Sequence, residues 1–579
     1  MAIAGDMVRS RRVACFTVVA LLAAFGLAHG QAPAPLTAQI ATARHGMVAS
    51  QEVRATQIGV EVLRQGGNAV DAAVAVGFAL AVTHPSAGNL GGGGFMLVHL
   101  ADRHESVAID YRETAPQAMT RDSFLDANGE ADPRKSRDSG LGVGVPGTVA
   151  GLWLAHQTYG SGKLTFAQLI EPAIRLARDG IAVTGDLADS LPRAQPRLVR
   201  WPSSAKIFLK ADGVALGEGD RLVQPDLAAS LEAIAHDGPR GFYEGPVAEK
   251  IVASVREAGG VMTTDDLKNY RAIVRKPVTG TYRGYEIVSM PPPSSGGVHL
   301  IEMLNVLELF DLERMGLGSV DSLHLMIETM RRAYADRAEF MGDPDVVAMP
   351  IDRLTSKSYA GELRASIDLK RATPSSEIRA GQPVPLEGRN TTHYSVVDQL
   401  GNAVSNTYTL NLGYGVGLVA EGTGILLNNE LDDFAAKPGA PNAFGLVGGA
   451  ANAPGPGKRP LSSMSPTIVM KDGKPFLVTG SMGGSTIITT VLQVITDVID
   501  FHQSVDQAVA APRIHHQWLP DQAVAEQGVA PEAIAGLEAR GHKVVTRPRW
   551  GSANSILVLP EGLFGAGDPR NRGVLAHGY

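Results

Sequence analysis

The sequence predicts a layered α/β (α+β) fold, with sheets sandwiched between helical layers. Three observations carry that prediction. Apolar residues recur at helical spacing through much of the chain before residue 345 and again from 486 to 501. The stretch after 391 instead reads as short strands, joined by Gly401-Asn402 and Asp472-Gly473, two good hairpin turns. The length, 579 residues, is too much for one simple core and calls for several domains or one large layered one.

Arg9, Arg11 and Arg12 precede an apolar run over 13–27, and Ala28-His29-Gly30 offers small residues for cleavage. Residues 1–30 therefore read as a secretory signal peptide, with an apolar run short for a membrane anchor. The one cysteine, Cys15, lies inside this segment. The mature chain then has no thiol, which excludes a cysteine nucleophile, a disulfide framework and a thiolate metal site. The formal net charge is -7, with Lys and Arg spread throughout, so no nucleic-acid footprint exists. No other segment is long and apolar enough to span a membrane; 72–82 reads as a buried core helix.

Taken in order, 51–65 has helical spacing and Gly66-Gly67 stops it. Asn68 caps the next helix, 69–82. Gly91 to Gly94 are four consecutive glycines, which let a backbone pass close to a neighbour or turn sharply. Strands follow over 95–100 and 106–111, and Arg112 stands at a strand end where a side chain can face a site. Asp126 to Glu130 reads as an Asn-Gly turn, lacking the spacing of a calcium loop. Gly142 to Gly147 matches G-x-G-x-x-G without a preceding strand, and leads into a helix over 148–159. From 166 to 345 the pattern is mostly helical, clearest over 321–341. Pro291-Pro292-Pro293 makes a rigid turn, and Gly296-Gly297 precede a helix over 298–309. Beyond Pro466 come strands over 467–470 and 475–478, and Gly483-Gly484 lead into the helix over 486–501.

The junction at Gly388 to Asp398 organises the rest. A polar, proline-rich stretch, 373–389, gives way to the strand-like His393-Tyr394-Ser395-Val396-Val397. A cut before Thr391 would produce a threonine with both a hydroxyl and a free α-amine, a self-contained nucleophile and base. Rival chemistry is thin. Ser203-Ser204-Ala205-Lys206 matches S-x-x-K without its companion motifs, and no G-x-S-x-G elbow exists. His515-His516 point opposite ways on a strand, and neither has a carboxylate partner at metal-ligand spacing. Around Thr391 the partners are coherent. Thr407, Thr409 and Asn411 share a face of the paired strand. Asn428 to Asp433 supply anionic groups and Arg459 to Ser465 supply hydroxyls. Gly483 and Gly484 open a helix whose N–H groups could hold an oxyanion.

Thr391-Thr392-His393-Tyr394-Ser395-Val396-Val397-Asp398 resembles the processing site of the γ-glutamyltransferases (γ-glutamyl transpeptidases). Family-like stretches also occur at 84–95, 291–297, 333–337, 426–434, 458–467 and 480–490. The resemblance covers almost all of the mature chain, in order. It implies an N-terminal-nucleophile hydrolase, a four-layer αββα sandwich that cuts itself between Asn390 and Thr391. A large subunit, 31–390, and a small one, 391–579, would form a heterodimer. The freed Thr391 would attack the γ-carbonyl of glutathione or another γ-glutamyl compound. Water, an amino acid or a dipeptide would then take the acyl group. The resemblance gives Thr409 a role in supporting the nucleophile and Gly483 and Gly484 the oxyanion hole. It gives Arg112 the substrate α-carboxylate, Ser462 and Ser463 a share in that task, and Asn411, Glu430 and Asp433 the α-ammonium. It implies no cofactor and no metal, and a periplasmic or secreted enzyme.

The stretch 437–449 resembles the lid loop of some bacterial members, with Phe444 where gated relatives can have tyrosine. The Asn390-Thr391-Thr392 sequon is discounted in a chain that looks bacterial. Two other readings stay open. One is a sister of the same fold, such as a cephalosporin or glutaryl acylase or a capsule-processing transpeptidase. The other is a periplasmic amino-acid- or peptide-binding protein, which would leave the chain uncut.

Overall fold

Two seven-stranded sheets form the centre of the molecule. In the first the order is Ile40–Ala43, Gly562–Ala566, Ser555–Leu559, Lys474–Thr479, Thr467–Lys471, Tyr285–Ser289, Val278–Tyr282. In the second it is Leu575–Gly578, Met47–Ser50, Thr392–Val397, Ala403–Thr409, Gly93–Leu100, Glu105–Tyr111, Ile273–Arg275. Every pairing within both sheets is antiparallel. The computed structural model describes residues 35–378 and 390–579. The signal-peptide prediction, Cys15 and most of the proline-rich stretch before Thr391 lie outside the described residues.

The layers follow from strand alternation. Met47, Ala49, Phe95, Leu97, Val397 and Ala403 of the second sheet meet Val288, Ile468, Val478 and Ile556 of the first, forming the core between the sheets. Their alternate neighbours Val48, Met96, Val98, Val396 and Val404 face outward, onto helices Val53–Arg64, Ala69–Thr83, Thr148–Tyr159 and Phe166–Asp179. Helices Gly296–Leu307, Val320–Phe340 and Ile487–Ile499 cover the outer face of the first sheet, through Ile287, Val469 and Leu477. The result is the expected αββα sandwich.

Local chemistry explains the elements. Asn68 accepts from the Val70 and Asp71 amides at 3.0 Å each, and Asp71 returns a bond to the Asn68 amide at 3.0 Å. Such a cap stabilises a helix by about 1 kcal/mol. All fifteen residues of that helix are buried, as its uninterrupted apolar run requires. The glycine run does what its composition allows. A Cβ on Gly92 would lie 2.1 Å from the Thr409 carbonyl oxygen, and one on Gly94 2.5 Å from that of Thr407.

The region 166–345 departs from its mostly helical reading. Ile273–Arg275, Val278–Tyr282 and Tyr285–Ser289 are strands, and the first two are the outermost strands of the two sheets. They are short and partly exposed, so no long apolar run marks them. Helix 298–309 begins earlier, with Gly296 and Gly297 as its first turn. The helix over 486–501 is Ile487–Ile499, entered through a 3₁₀ turn at Gly484–Thr486. Among the described residues no helix is long and apolar enough to cross a membrane.

Candidate active site

The hairpin that carries Thr391 is fixed at its turn. Asp398 Oδ1 accepts from the amides of Leu400 (2.9 Å) and Asn402 (3.0 Å). The resulting register pairs Thr392 with Tyr408. Thr391, one residue earlier, therefore meets Thr409, and its hydroxyl donates to Thr409 Oγ1 at 3.2 Å. Thr409 Oγ1 also accepts from the Asn411 amide at 2.8 Å, which aims it. Thr407, on the same face, instead bonds His393 Nδ1 at 2.8 Å. Burial lowers the His393 pKa to about 3, so this imidazole stays neutral.

Thr391 is buried and sits at φ +92°, in the left-handed region that β-branched residues avoid. Such a conformation costs on the order of 1–3 kcal/mol and persists because the surroundings hold it. One of those restraints is the Gly483 amide, which donates to the Asn390 carbonyl oxygen at 2.9 Å. Gly483 at φ +134° and Gly484 at φ +57° need glycine's freedom to make this turn. Gly484 packs under the Phe444 ring, whose nearest carbon is 2.5 Å from where a Cβ would stand.

Below Thr391 lies a pocket of only about 20 Å³. Thr391, Thr409, Asn411, Glu430, Asp433, Phe444, Ser462, Ser463 and Gly484 line it, so nine of the predicted residues converge. Arg112, Gly483 and Asn390 are the three predicted residues that do not line it; Asn390 lines the neighbouring open cavity. The Arg112 guanidinium donates to Asp433 Oδ2 at 2.6 Å, to Glu430 Oε1, and to the carbonyls of Pro460 (3.0 Å) and Leu461 (3.4 Å). One cation thus fixes the acidic 3₁₀ turn Glu430–Asp433 and the serine loop together.

Charge is out of balance here. Glu113 lies 3.9 Å from Arg112, fully buried, with neither carboxyl oxygen hydrogen-bonded among the described residues. Burial pushes its pKa up to about 8, against the pull of Arg112. Burial also raises Glu430 and Asp433, again opposed chiefly by Arg112. Glu430 Oε2 and Asn411 Oδ1 are further buried acceptors without a hydrogen-bond partner among the described residues. A site with surplus carboxylate and unsatisfied acceptors suits a cation with several N–H donors.

Three contributors escape the sequence reading. Arg337, read as a helix residue in a family-like stretch with no site role given to it, donates to Ser295 Oγ at 2.9 Å and Ser463 Oγ at 3.2 Å. Glu113 was hidden beside Arg112. Asn442 ties the 437–449 loop to the acidic turn, donating to Asp433 Oδ1 at 2.9 Å and accepting from the Phe444 and Leu446 amides. A buried arginine in a helix is a usable signal, because an unpaired buried guanidinium is costly; Asn442 in a Gly-Pro-rich loop carries none. His515 and His516 are buried and held neutral, with pKa values lowered to about 4 and about 3 by burial.

A sequence model of the family described as Gamma-glutamyltranspeptidase matches residues 55–578. The chain belongs to that family. Within it, the chain is 54% identical to the glutathione hydrolase proenzyme of Escherichia coli (strain K12), over 93% of this chain and 92% of that one. The crystal structure of Helicobacter pylori gamma-glutamyltranspeptidase is 49% identical, with a TM-score of 0.55, covering 57% of this chain and 93% of that one. Cephalosporin acylase from Bacillus halodurans is more distant in sequence, at 28% identity. Its TM-score is 0.82, over 94% of this chain and 98% of that one. This gamma-glutamyltranspeptidase family member is an enzyme with the N-terminal-nucleophile hydrolase sandwich, shared with the acylase.

Proposed function

We propose that the chain cuts itself between Asn390 and Thr391 and then transfers or hydrolyses γ-glutamyl groups, through an ester on Thr391. The observation that carries this is one arrangement. The Thr391 hydroxyl is oriented by Thr409, while the Gly483 amide holds the carbonyl oxygen of Asn390.

In the cut, Thr391 Oγ bonds to the Asn390 carbonyl carbon, and negative charge grows on the oxygen that Gly483 already contacts. Collapse breaks the C–N bond and moves the acyl group to Oγ. Water then opens the ester, leaving the Asn390 carboxylate and the Thr391 α-amine. That amine has an ordinary pKa of about 7.7–8.0, suited to taking a hydroxyl proton near neutrality. In turnover the same hydroxyl attacks the substrate γ-carbonyl. Asn411, Glu430 and Asp433 receive the α-ammonium, which answers their surplus charge. Arg112 and the two serines, Ser462 and Ser463, receive the α-carboxylate, with Arg337 behind Ser463. Gly483, with Gly484 beside it, receives the oxyanion. Phe444 covers the pocket.

Glutathione and related γ-glutamyl compounds are the donors in this reading, and amino acids or dipeptides the acceptors. The product of the cut is a heterodimer of 31–390 and 391–579, made after loss of 1–30 and working in the periplasm or outside the cell. The N-terminal charge and hydropathy pattern supports that compartment. The test compares a γ-glutamyl anilide with a glutaryl anilide, which lacks the α-amine. Release from the first at least tenfold faster is expected. Equal rates, or preference for the glutaryl compound, would move the enzyme to the acylase reading.

A further inference from the structure

The Phe444 ring stands over Gly484 and lines the small pocket, yet the stretch 437–449 that carries it contains no helix or strand. Side chains hold its backbone instead. Asn442 Oδ1 accepts from the Phe444 N–H at 3.0 Å, and Gln517 Nε2 donates to the Phe444 carbonyl at 3.2 Å. Asn442 belongs to the same loop. Gln517 does not: it follows the short strand Ile514–His515, 73 positions from Phe444.

The platform under Gln517 is firmly built. The Gln493 amide, on helix Ile487–Ile499, accepts from the Ile514 N–H and donates to the Ile514 carbonyl, both at 2.9 Å. The His515 ring packs edge-on against Tyr334, with ring centroids 5.5 Å apart. Its two nitrogens meet Thr489 Oγ1 and Gln517 Oε1, each at 2.9 Å. Thr489, His515, Gln517 and Phe444 are all buried.

Donor counting gives this path a direction. A carbonyl only accepts, so Gln517 turns its NH2 to Phe444 and its oxygen to His515. His515 Nε2 then carries the ring proton. Burial lowers the His515 pKa to about 4, so near neutral pH the ring has one proton and Nδ1 is bare. Nδ1 accepts from the Thr489 hydroxyl, and each link has one donor and one acceptor. The path also closes on itself. Thr489 lies in the first turn of the helix that Gly484–Thr486 opens. From there it runs through His515 and Gln517 to Phe444, whose ring returns to Gly484.

We infer that Gln517 is a positioning residue for the proposed reaction. It fixes the Phe444 wall of the pocket against the Gly483-Gly484 turn, so that the γ-glutamyl group is bound between a ring and an oxyanion donor held at one spacing. Gln517 itself touches no reacting atom. This deepens the function proposed above and rests on it. A glutamine that only filled the core would act on folding, and independently of Phe444.

The test follows turnover of a γ-glutamyl anilide by the mature enzyme in Gln517→Met, Phe444→Ala and the double variant. Loss of one neutral hydrogen bond should raise KM about two- to tenfold in Gln517→Met, with kcat within about twofold of the parent. Phe444→Ala removes the ring that Gln517 places and should raise KM at least as much. The double variant should then match Phe444→Ala alone, because effects that pass through one residue do not add. Gln517→Glu keeps the size and the acceptor for His515 but lacks the donor. It should behave as Gln517→Met, and it carries the test if that variant does not mature. An unchanged KM in the Gln517 variants or in Phe444→Ala, or increases that multiply in the double variant, overturns the positioning role while anilide turnover continues. Failure of both Gln517 variants to mature also overturns it, making the residue structural. Absence of anilide turnover in the parent overturns the acyl-transfer reading itself.

Discussion

Asn442 donates from Nδ2 to Oδ1 of Asp433 at 2.9 Å, while Asp433 Oδ2 takes the Arg112 guanidinium at 2.6 Å. A residue of the 437–449 loop and the buried Arg112 cation thus share one carboxylate. Asn442 also accepts from the Phe444 and Leu446 amides, at 3.0 and 3.1 Å. The 437–449 loop and the charge at the pocket are thus linked through this amide side chain. Asn442→Ala should raise the KM for a γ-glutamyl anilide about 10- to 100-fold, the loss of one hydrogen bond to a charged group. It should also speed proteolysis within 437–449. A KM rise with unchanged proteolysis would mean that Asn442 acts on Asp433 alone.

Thr391→Ala removes the attacking oxygen and should leave one uncut band on a denaturing gel, with no anilide turnover. Thr409→Val keeps the shape and deletes the acceptor that aims the Thr391 hydroxyl. Its self-cleavage, followed as band conversion over time, should slow by about 10²-fold. A Thr391→Ala chain that still cuts would assign the nucleophile elsewhere.

Arg112→Lys keeps the charge and loses the fork that reaches Glu430, Asp433 and two carbonyls at once. Three of those partners would stay buried and poorly matched. Steady-state kinetics should give kcat/KM lower by about 10- to 100-fold, mostly in KM, with self-cleavage retained. Loss of self-cleavage together with activity would make Arg112 structural instead.

Asp497, fully buried in the Ile487–Ile499 helix, has its pKa raised to about 8 from an ordinary 3.8, chiefly by burial. Between those values the folded state binds more protons than the unfolded one, so stability falls as pH rises through the window. Asp497→Asn removes that loss. The variant should gain on the parent by several kcal/mol between pH 4 and pH 7.5, with the gap nearly closed at pH 4. Denaturant melts at the two pH values measure it; a gap that is larger at pH 4 would reverse the sign.

Much of the site is legible in the sequence because its parts are local. The Gly401-Asn402 turn sets the register that brings Thr409 opposite Thr391, and the glycines at 91–94 and 483–484 announce close backbone approach. What stays hidden is long-range. Arg337 reaches Ser463 across 126 positions, and the Gly483 amide finds the Asn390 carbonyl across 93. The edge strands Ile273–Arg275 and Val278–Tyr282 are hidden for another reason. They bury little, so their pattern carries little hydrophobic signal.

The strand order of the second sheet has a consequence for the cut chain. Thr392–Val397 lies between Met47–Ser50 on one side and Ala403–Thr409 on the other, and Ala403–Thr409 pairs onward with Gly93–Leu100. Leu575–Gly578, near the far end of the chain, pairs with the other edge of Met47–Ser50. Breaking one peptide bond before Thr391 removes no rung from these ladders. The two pieces are shuffled like cards within a single sheet, and neither can be drawn out without dismantling the core of the other. Severing the chain there would therefore release a chemical group and no subunit.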